Sequence, residues 1–242
     1  TLFFASDTPW GKKGKECYFD KNGRGSLDYF YSKYADIYSS THDKGYVAFP
    51  TANHDFQRLR TGRRNDLQQL KVAMPGVLFI YYGDEIGMKY LPGLQPKEGS
   101  RKRSGTRTPM QWAAGETAGF STCTPEKLYF PVDTENGKIT VAAEDNDPRS
   151  LLNFVRGLIK LRHSSPALNN DGAWQLVSNP SKPYPMVYTR SMNGETYVVA
   201  LNPSNKKAAT AIGHLGKAES VSLTKKAPKV AMEGESFINS NN

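Results

Sequence analysis

The sequence has few cysteines, few histidines and no long apolar run, and each shortage excludes a class of protein. Its 242 residues include two cysteines and four histidines. Cys17 and Cys123 are too few for a disulfide framework and lack the spacing of metal ligands, so we predict no metal site. No apolar segment approaches the roughly 20 residues of a membrane-spanning helix, so we predict no membrane partner. The first residues lack the pattern of a secretory signal, and nothing in the sequence indicates a cellular compartment.

The chain is basic, with a formal net charge of +9, but it has no nucleic-acid-binding motif. Its lysines and arginines are scattered over predicted helices, strands and loops instead of being concentrated in one stretch, so we predict no nucleic-acid partner. Hydrophobic residues make up 38% of the chain, which is ordinary for a globular protein with one large or two smaller cores.

Apolar strands alternate with amphipathic helices in the first part of the chain. Predicted strands cover 2–5, 16–19, 47–49 and 77–82, and predicted helices cover 26–38 and 66–74. Strands that are apolar throughout and alternate with helices favour a parallel sheet that is buried on both faces.

The composition and the predicted structure of the chain change twice after that sheet. Residues 89–147 are rich in glycine, proline and charge, which predicts a long loop excursion. A helix is predicted at 149–163, and short strands separated by turn residues follow, at 174–177, 186–189, 197–201 and 221–223. Such short strands are typical of a small antiparallel β domain. We therefore predict two domains, 1–165 and 166–242.

The residues with the clearest chemistry directly follow a predicted strand. Residues 49–58 read FPTANHDFQR, so an imidazole, a carboxylate and a guanidinium come within five residues, as His54, Asp55 and Arg58. At the carboxyl end of a strand in a β/α barrel, such groups hydrogen-bond sugar hydroxyls or stabilise positive charge during glycosidic cleavage. The alternative is a capped strand-to-helix turn whose polar residues are incidental.

Two further motifs follow residues 49–58 along the chain, and the three together are more specific than any one of them. Residues 74–88 read MPGVLFIYYGDEIGM, and residues 107–112 read RTPMQW with AGFS behind them at 118–121. Together with the NHD at 53–55, they resemble the seventh strand, the eighth strand and the following loop of the alpha-amylase family. The loop motif is most like that of oligo-1,6-glucosidases, alpha-glucosidases and trehalose synthases, and the resemblance runs from about Glu16 onward. It implies an α/β plus all-β protein: about the last three strands of a (β/α)8 TIM barrel, followed by an antiparallel β-sandwich.

The resemblance also implies roles for individual residues. Asp55 matches the carboxylate that stabilises the transition state, and His54 matches the histidine that hydrogen-bonds the central sugar. Arg58 matches the substrate-contacting arginine three residues after that carboxylate. Arg107 and Trp112 are expected to border the outer sugar subsites.

Two other carboxylates of the family's active site have no match in this sequence. A retaining glycosidase needs a nucleophile and a general acid, which the family supplies as an Asp ending the fourth strand and a Glu ending the fifth. No segment resembles the Gly-Phe-Arg-x-Asp pattern of the nucleophile, and Ser6 or Asp7 falls where the acid Glu belongs. Asp84 and Glu85 match strand-end structural residues of the family.

Two functions fit these matches and departures. The first is a C-terminal fragment of a retaining alpha-glucoside hydrolase or transglycosylase, with an alpha-glucan or oligosaccharide as substrate and no activity of its own. The second is a non-catalytic sugar-binding or assembly protein of the same fold. No cofactor is evident, and a calcium requirement of a full-length parent is left open. Because three strands cannot close a barrel, the chain must hide a sheet edge by self-association or by its own excursion, or be marginally stable.

Overall fold

The computed structural model describes residues 27–50, 52–55, 58, 74–133, 137, 139–182, 184–202, 207–212, 229–233 and 235–240. Three predicted strands lie outside these residues, at 2–5, 16–19 and 221–223. The predicted helix at 66–74 also lies outside them, except for its last residue.

The predicted first helix is confirmed and is slightly longer than expected. Helix α1 spans Leu27–Thr41. Leu27, Phe30 and Tyr34 are buried, and their spacing of three and four residues places them on one face of the helix. At the carboxyl end, the hydroxyl of Thr41 donates to the carbonyl of Ile37 at 2.7 Å.

Two short strands run parallel, as predicted from the alternation of strands and helices. Strand β1 spans Ala48–Pro50 and strand β2 spans Val77–Phe79, with Phe49 opposite Leu78. Gly76 leads into β2 with φ +133, and a Cβ there would lie 2.2 Å from the carbonyl oxygen of Val47. Only glycine accommodates both this backbone conformation and this close approach.

The long segment after β2 has little regular structure, in keeping with the predicted excursion. It contains 3-10 helices at Arg101–Thr106 and Pro125–Lys127 and a short helix α2 at Val141–Asp145. Helix α3 follows at Leu151–Ser164, where Ser150 caps its first turn by accepting from the backbone N–H of Asn153. The predicted helix at 149–163 is thus confirmed.

The strands after α3 pair antiparallel, as predicted. Strands β3 to β8 span, in order, Ala173–Leu176, Met186–Met192, Glu195–Leu201, Ala208–Ile212, Lys229–Glu233 and Glu235–Ser240. Strands β3, β4 and β5 form one three-stranded sheet, and strands β6, β7 and β8 form another in the order β6, β8, β7. Asn193 and Gly194 both have positive φ, which suits the tight hairpin between β4 and β5. Packing of the two sheets as a sandwich stays a prediction.

One hydrophobic core joins the helical part of the chain to the first antiparallel sheet. Tyr34, Phe49 and Met74 share a buried cluster with Tyr188 and Leu201 of β4 and β5. This cluster spans the predicted domain boundary at residues 165 and 166, which itself stays a prediction. The strands that carry the candidate site are therefore supported by packing from both sides of that boundary.

A buried arginine fastens α3 to the entry of β2. Arg162 donates to the carbonyls of Met74 and Gly76, at 2.9 and 2.6 Å, and to the side-chain oxygen of Asn170 at 2.7 Å. Burial lowers the pKa of Arg162 to about 10, with a further contribution from the nearby charge of Arg190. The guanidinium stays charged at neutral pH and fixes the start of the strand.

Candidate active site

The predicted polar residues lie at the carboxyl ends of the parallel strands. Because β1 ends at Pro50 and β2 ends at Phe79 and the two run in the same direction, the segments that follow them emerge at one edge of the sheet. His54 and Asp55 follow β1, and Asp84 and Glu85 follow β2. The parallel pairing on which the predicted site depended is confirmed.

Asp55 is held by two arginines from the excursion. Its Oδ1 accepts from Arg103 Nη1 and, at 3.3 Å, from Arg107 Nη2, while the ring Nε2 of His54 lies 3.6 Å away. Its backbone N–H donates to the side-chain oxygen of Asn53 at 2.8 Å. The side chain is 38% exposed, so the carboxylate is fixed in orientation and still open to solvent.

These neighbours keep Asp55 ionised. Partial burial pushes its pKa upward, but the charges of His54 and Arg103 and the hydrogen bonds from Arg103 and Arg107 outweigh this effect, so the pKa is lowered. The carboxylate therefore carries its negative charge at any pH near neutral.

His54 is anchored through its backbone while its ring is exposed. The carbonyl of His54 accepts from the hydroxyl of Thr106 and from Nε of Arg107, both at 3.0 Å. Its side chain is 64% exposed. The imidazole is thus presented at the edge of the sheet beside Asp55.

Arg58 lies in a different setting from the exposed residues of the site. Its side chain is fully buried between the rings of Tyr81 and Tyr82, with the guanidinium carbon 5.0 and 4.7 Å from the two ring centres. It donates to the carbonyls of Tyr82 and Thr106, and its Nη1 lies 3.9 Å from Oδ1 of Asp84. Arg58 joins the loop after β1 to the loop after β2, and the substrate contact predicted for it stays a prediction.

Sequence reasoning missed Arg103. It lies in the 3-10 helix Arg101–Thr106, and its guanidinium is oriented by the carbonyls of Ser100 and Gly99, at 3.0 and 3.2 Å. Arg103 and Asp55 are 48 positions apart. The available signal was a basic residue four positions before the RTPMQW motif.

Arg107 and Trp112 line a pocket beside Asp55. The pocket has a volume of about 400 Å³ and is walled by residues that follow β2 and by residues of the excursion, among them Glu85, Phe120 and Tyr129. Arg107 therefore belongs both to the surroundings of Asp55 and to the pocket.

No metal-binding cluster of three or more His, Cys, Asp or Glu side chains occurs among the described residues. Within the same part of the chain, no helix is long and apolar enough to cross a membrane.

Comparison with known proteins decides the family. The model of the alpha-amylase catalytic domain matches residues 18–171, well over half of the chain. This chain belongs to the alpha-amylase family. The trehalose synthase/amylase TreS of Mycobacterium tuberculosis is 33% identical over 175 residues, covering 69% of this chain and 27% of that protein. The oligo-1,6-glucosidase of Heyndrickxia coagulans is 29% identical over 204 residues, covering 67% of this chain and 35% of that protein.

A solved structure shows the same fold. The crystal structure of the trehalulose synthase MutB from Pseudomonas mesoacidophila MX-45 matches with a TM-score of 0.74 at 24% identity, covering 88% of this chain and 46% of that one. The fold is thus that of the family's TIM-barrel enzymes. The chain spans about a quarter to a third of the length of these two curated relatives.

Proposed function

We propose that this chain contributes the Asp55-bearing part of the active site of a retaining alpha-glucoside hydrolase or transglycosylase. In this proposal, residues 1–165 supply about the last three strands of the barrel and residues 166–242 a β-sandwich. The observation that carries it is an ionised, solvent-accessible carboxylate at the carboxyl edge of two parallel strands, where active sites of this fold form.

The chemistry of glycoside cleavage explains why such a carboxylate is needed. Positive charge builds up at the anomeric carbon as the bond to the leaving oxygen breaks, and a fixed negative charge nearby stabilises that state. Arg103 and Arg107 both donate to Oδ1 of Asp55, and no described residue donates to Oδ2. Oδ2 is therefore the oxygen that we propose faces the sugar.

The neighbouring residues have separate parts in this proposal. The exposed ring of His54 hydrogen-bonds the sugar bound next to Asp55, and Arg107 and Trp112 contact sugar further out. The burial of Arg58 supports a positioning role, because its two terminal amino groups donate to backbone carbonyls of the segment after β2, while Arg58 itself lies in the segment after β1. We propose an alpha-glucan or oligosaccharide as substrate and no cofactor for the step that Asp55 assists.

We further propose that the chain is inactive by itself. A retaining mechanism requires a nucleophile and a general acid on either side of the bond, and neither is visible in the sequence. Removal of such groups typically lowers turnover by several orders of magnitude. Self-association through the open barrel edge would cover the edge without supplying either group.

Two proteins test this proposal together. The purified chain is assayed on maltose, isomaltose, trehalose and starch, alongside a chimaera in which residues 18–171 replace the matching segment of the Heyndrickxia oligo-1,6-glucosidase. We expect no turnover by the chain and measurable turnover by the chimaera, which regains a nucleophile and an acid from the relative. The relative itself serves as the positive control.

Either of two results would contradict the proposal. Turnover by the isolated chain near the typical enzyme value of about 10 per second would mean that the missing groups are present after all. A folded chimaera that binds sugar without cleaving it would favour the non-catalytic sugar-binding protein.

A further inference from the structure

The side chain of Thr106 is buried where the excursion meets the segment after β1. Thr106 ends the 3-10 helix Arg101–Thr106 and is 1% exposed. Its hydroxyl donates to the carbonyl of His54 at 3.0 Å and to the carbonyl of Arg103 at 2.8 Å. A hydroxyl group has one hydrogen to donate, so these two carbonyls share it. One buried group therefore bridges the backbones of His54 and Arg103.

The two bridged residues are the ones that bring Asp55 to its cation. Arg103 carries the guanidinium that donates to Oδ1 of Asp55, and His54 directly precedes Asp55 in the chain. Arg103 and Asp55 are 48 positions apart, so their meeting depends on contacts that hold the two segments at a fixed separation. The hydroxyl of Thr106 makes such a contact on the backbone of both segments at once.

A second contact between the same segments is weaker because it lies nearer to solvent. Nε of Arg107 also donates to the carbonyl of His54 at 3.0 Å, but the side chain of Arg107 is 28% exposed. Water competes less for the hydrogen bond of the buried Thr106 hydroxyl, and a low local dielectric strengthens it. The bridge through Thr106 is therefore the firmer of the two.

The backbone of Thr106 is fixed independently of its hydroxyl. Its carbonyl accepts from Nη2 of Arg58 and from the hydroxyl of Tyr81, both at 3.1 Å. Arg58 is fully buried, and Tyr81 belongs to the segment after β2. Replacing Thr106 with valine keeps the carbonyl and the branched shape, so it removes the bridge and leaves these two bonds in place.

We propose that Thr106 is a positioning residue for Asp55: its hydroxyl sets the separation of the two backbones at which the guanidinium of Arg103 reaches the carboxylate. Thr106 contacts no reacting atom in this role and acts through Arg103. A misplacement of about an ångström costs up to about a hundredfold in rate, so the position of a charge-stabilising carboxylate matters for catalysis. The inference rests on the proposed function for its effect on turnover, but the surroundings of Asp55 are measurable without any sugar.

The pKa of Asp55 reports whether Arg103 is in place. Partial burial raises this pKa, whereas the charges of His54 and Arg103 and the hydrogen bonds from Arg103 and Arg107 lower it. NMR titration of the carboxyl carbon in the full chain should give a higher pKa for Thr106→Val than for the unaltered chain. Thr106→Ser keeps the hydroxyl and should keep the unaltered pKa. An unchanged pKa in Thr106→Val, or an equal rise in Thr106→Ser, would overturn the inference.

A matched control separates positioning from a general loss of stability. Thr140 is 2% exposed, and its hydroxyl accepts from the backbone N–H of Ala143 at the start of α2. Thr140→Val should lower Tm and leave the pKa of Asp55 unchanged. If Thr106→Val does not fold, Thr106→Ala takes its place, because it removes the same hydroxyl without adding volume.

A double variant tests the route through Arg103. Arg103→Gln removes the guanidinium, so adding Thr106→Val to it should raise the pKa of Asp55 little further. Fully additive rises from the two substitutions would show that Thr106 does not act through Arg103, and the proposal would fall.

The chimaera adds the catalytic readout. Thr106→Val should lower its kcat by about tenfold and change KM by less than about twofold, because a fixed carboxylate matters mainly in the transition state. Thr106→Ser should retain kcat, whereas a full kcat in Thr106→Val would contradict the positioning role.

The two proposals fail in different ways. If the chimaera is inactive and the pKa of Asp55 still rises in Thr106→Val, the positioning stands and the proposed function falls. If the chimaera is active and that pKa does not move, the proposed function stands and the positioning role is refuted.

Discussion

Replacing Arg58 with methionine should destabilise the chain without any sugar being present. Methionine has a similar length and keeps the apolar packing between Tyr81 and Tyr82, so the substitution removes mainly the polar contacts of the guanidinium. The carbonyls of Tyr82 and Thr106 then lose a donor, and Asp84, which is only 2% exposed, loses a positive charge 3.9 Å away.

The expected loss is large for a single substitution. A buried acceptor without its donor costs about 1–3 kcal/mol, and removing one partner of a buried ion pair costs about 3–5 kcal/mol. These costs overlap, because the same guanidinium makes all three contacts, so we expect about 3–5 kcal/mol in total. For a chain of this size each kcal/mol corresponds to about 2–4 °C, which gives a fall in Tm of roughly 6–20 °C.

Thermal unfolding followed by circular dichroism measures this fall. Arg103→Met is the matched control, because the side chain of Arg103 is 39% exposed and its ion pair with Asp55 is solvent-screened, so its loss should lower Tm far less than the loss of Arg58. A normal Tm for Arg58→Met combined with weaker sugar binding would refute the positioning role. It would support the substrate contact that the sequence predicts.

Two linked predictions concern the ionisation of Asp55. Arg103→Gln should raise the pKa of Asp55, read from its carboxyl carbon by NMR titration, whereas Arg149→Gln should not, because Arg149 is 86% exposed and pairs with Asp147. Since the pKa of Asp55 in the folded chain lies below its ordinary value of about 3.9, the stability from the ionised carboxylate is present above that pH and is lost as pH falls through the folded pKa. In the Arg103→Gln variant, the free energy of unfolding should therefore fall less steeply with pH below about pH 4 than in the unaltered chain. The same dependence on pH in both proteins would contradict the contacts assigned to Asp55.

Local patterns and the order of the motifs suffice to predict β1, β2 and the edge of the sheet at which Asp55 lies. The apolar runs around Phe49 and Leu78 predict strands of a parallel sheet, the motif order makes them neighbours, and chain direction then brings Asp55 to the same edge as Asp84. The same patterns miss β6, β7 and β8. The helical spacing of Leu152, Val155 and Leu158 likewise predicts α3, because one buried face decides where a helix forms.

Contacts between distant segments could not be predicted in the same way. Arg103 meets Asp55 only because the excursion folds back over the edge of the sheet, and no periodicity encodes that return. Arg58 follows Asp55 by three residues and looks equally available in the sequence, yet Tyr81, Tyr82 and Thr106 enclose it. Burial of a charged side chain depends on partners elsewhere in the chain, so the motif alone does not reveal it.

The turnover of the chimaera with Asp55→Asn tests the central claim most directly. Asparagine keeps the shape of the side chain and removes the negative charge that faces the developing cation, so the chimaera should fold with an unchanged Tm and lose about a hundredfold or more in kcat. Asp43→Asn, at an exposed turn after α1, should leave both values unchanged. An Asp55→Asn chimaera that keeps its full turnover at the same Tm would show that Asp55 is only a polar residue of the turn after β1.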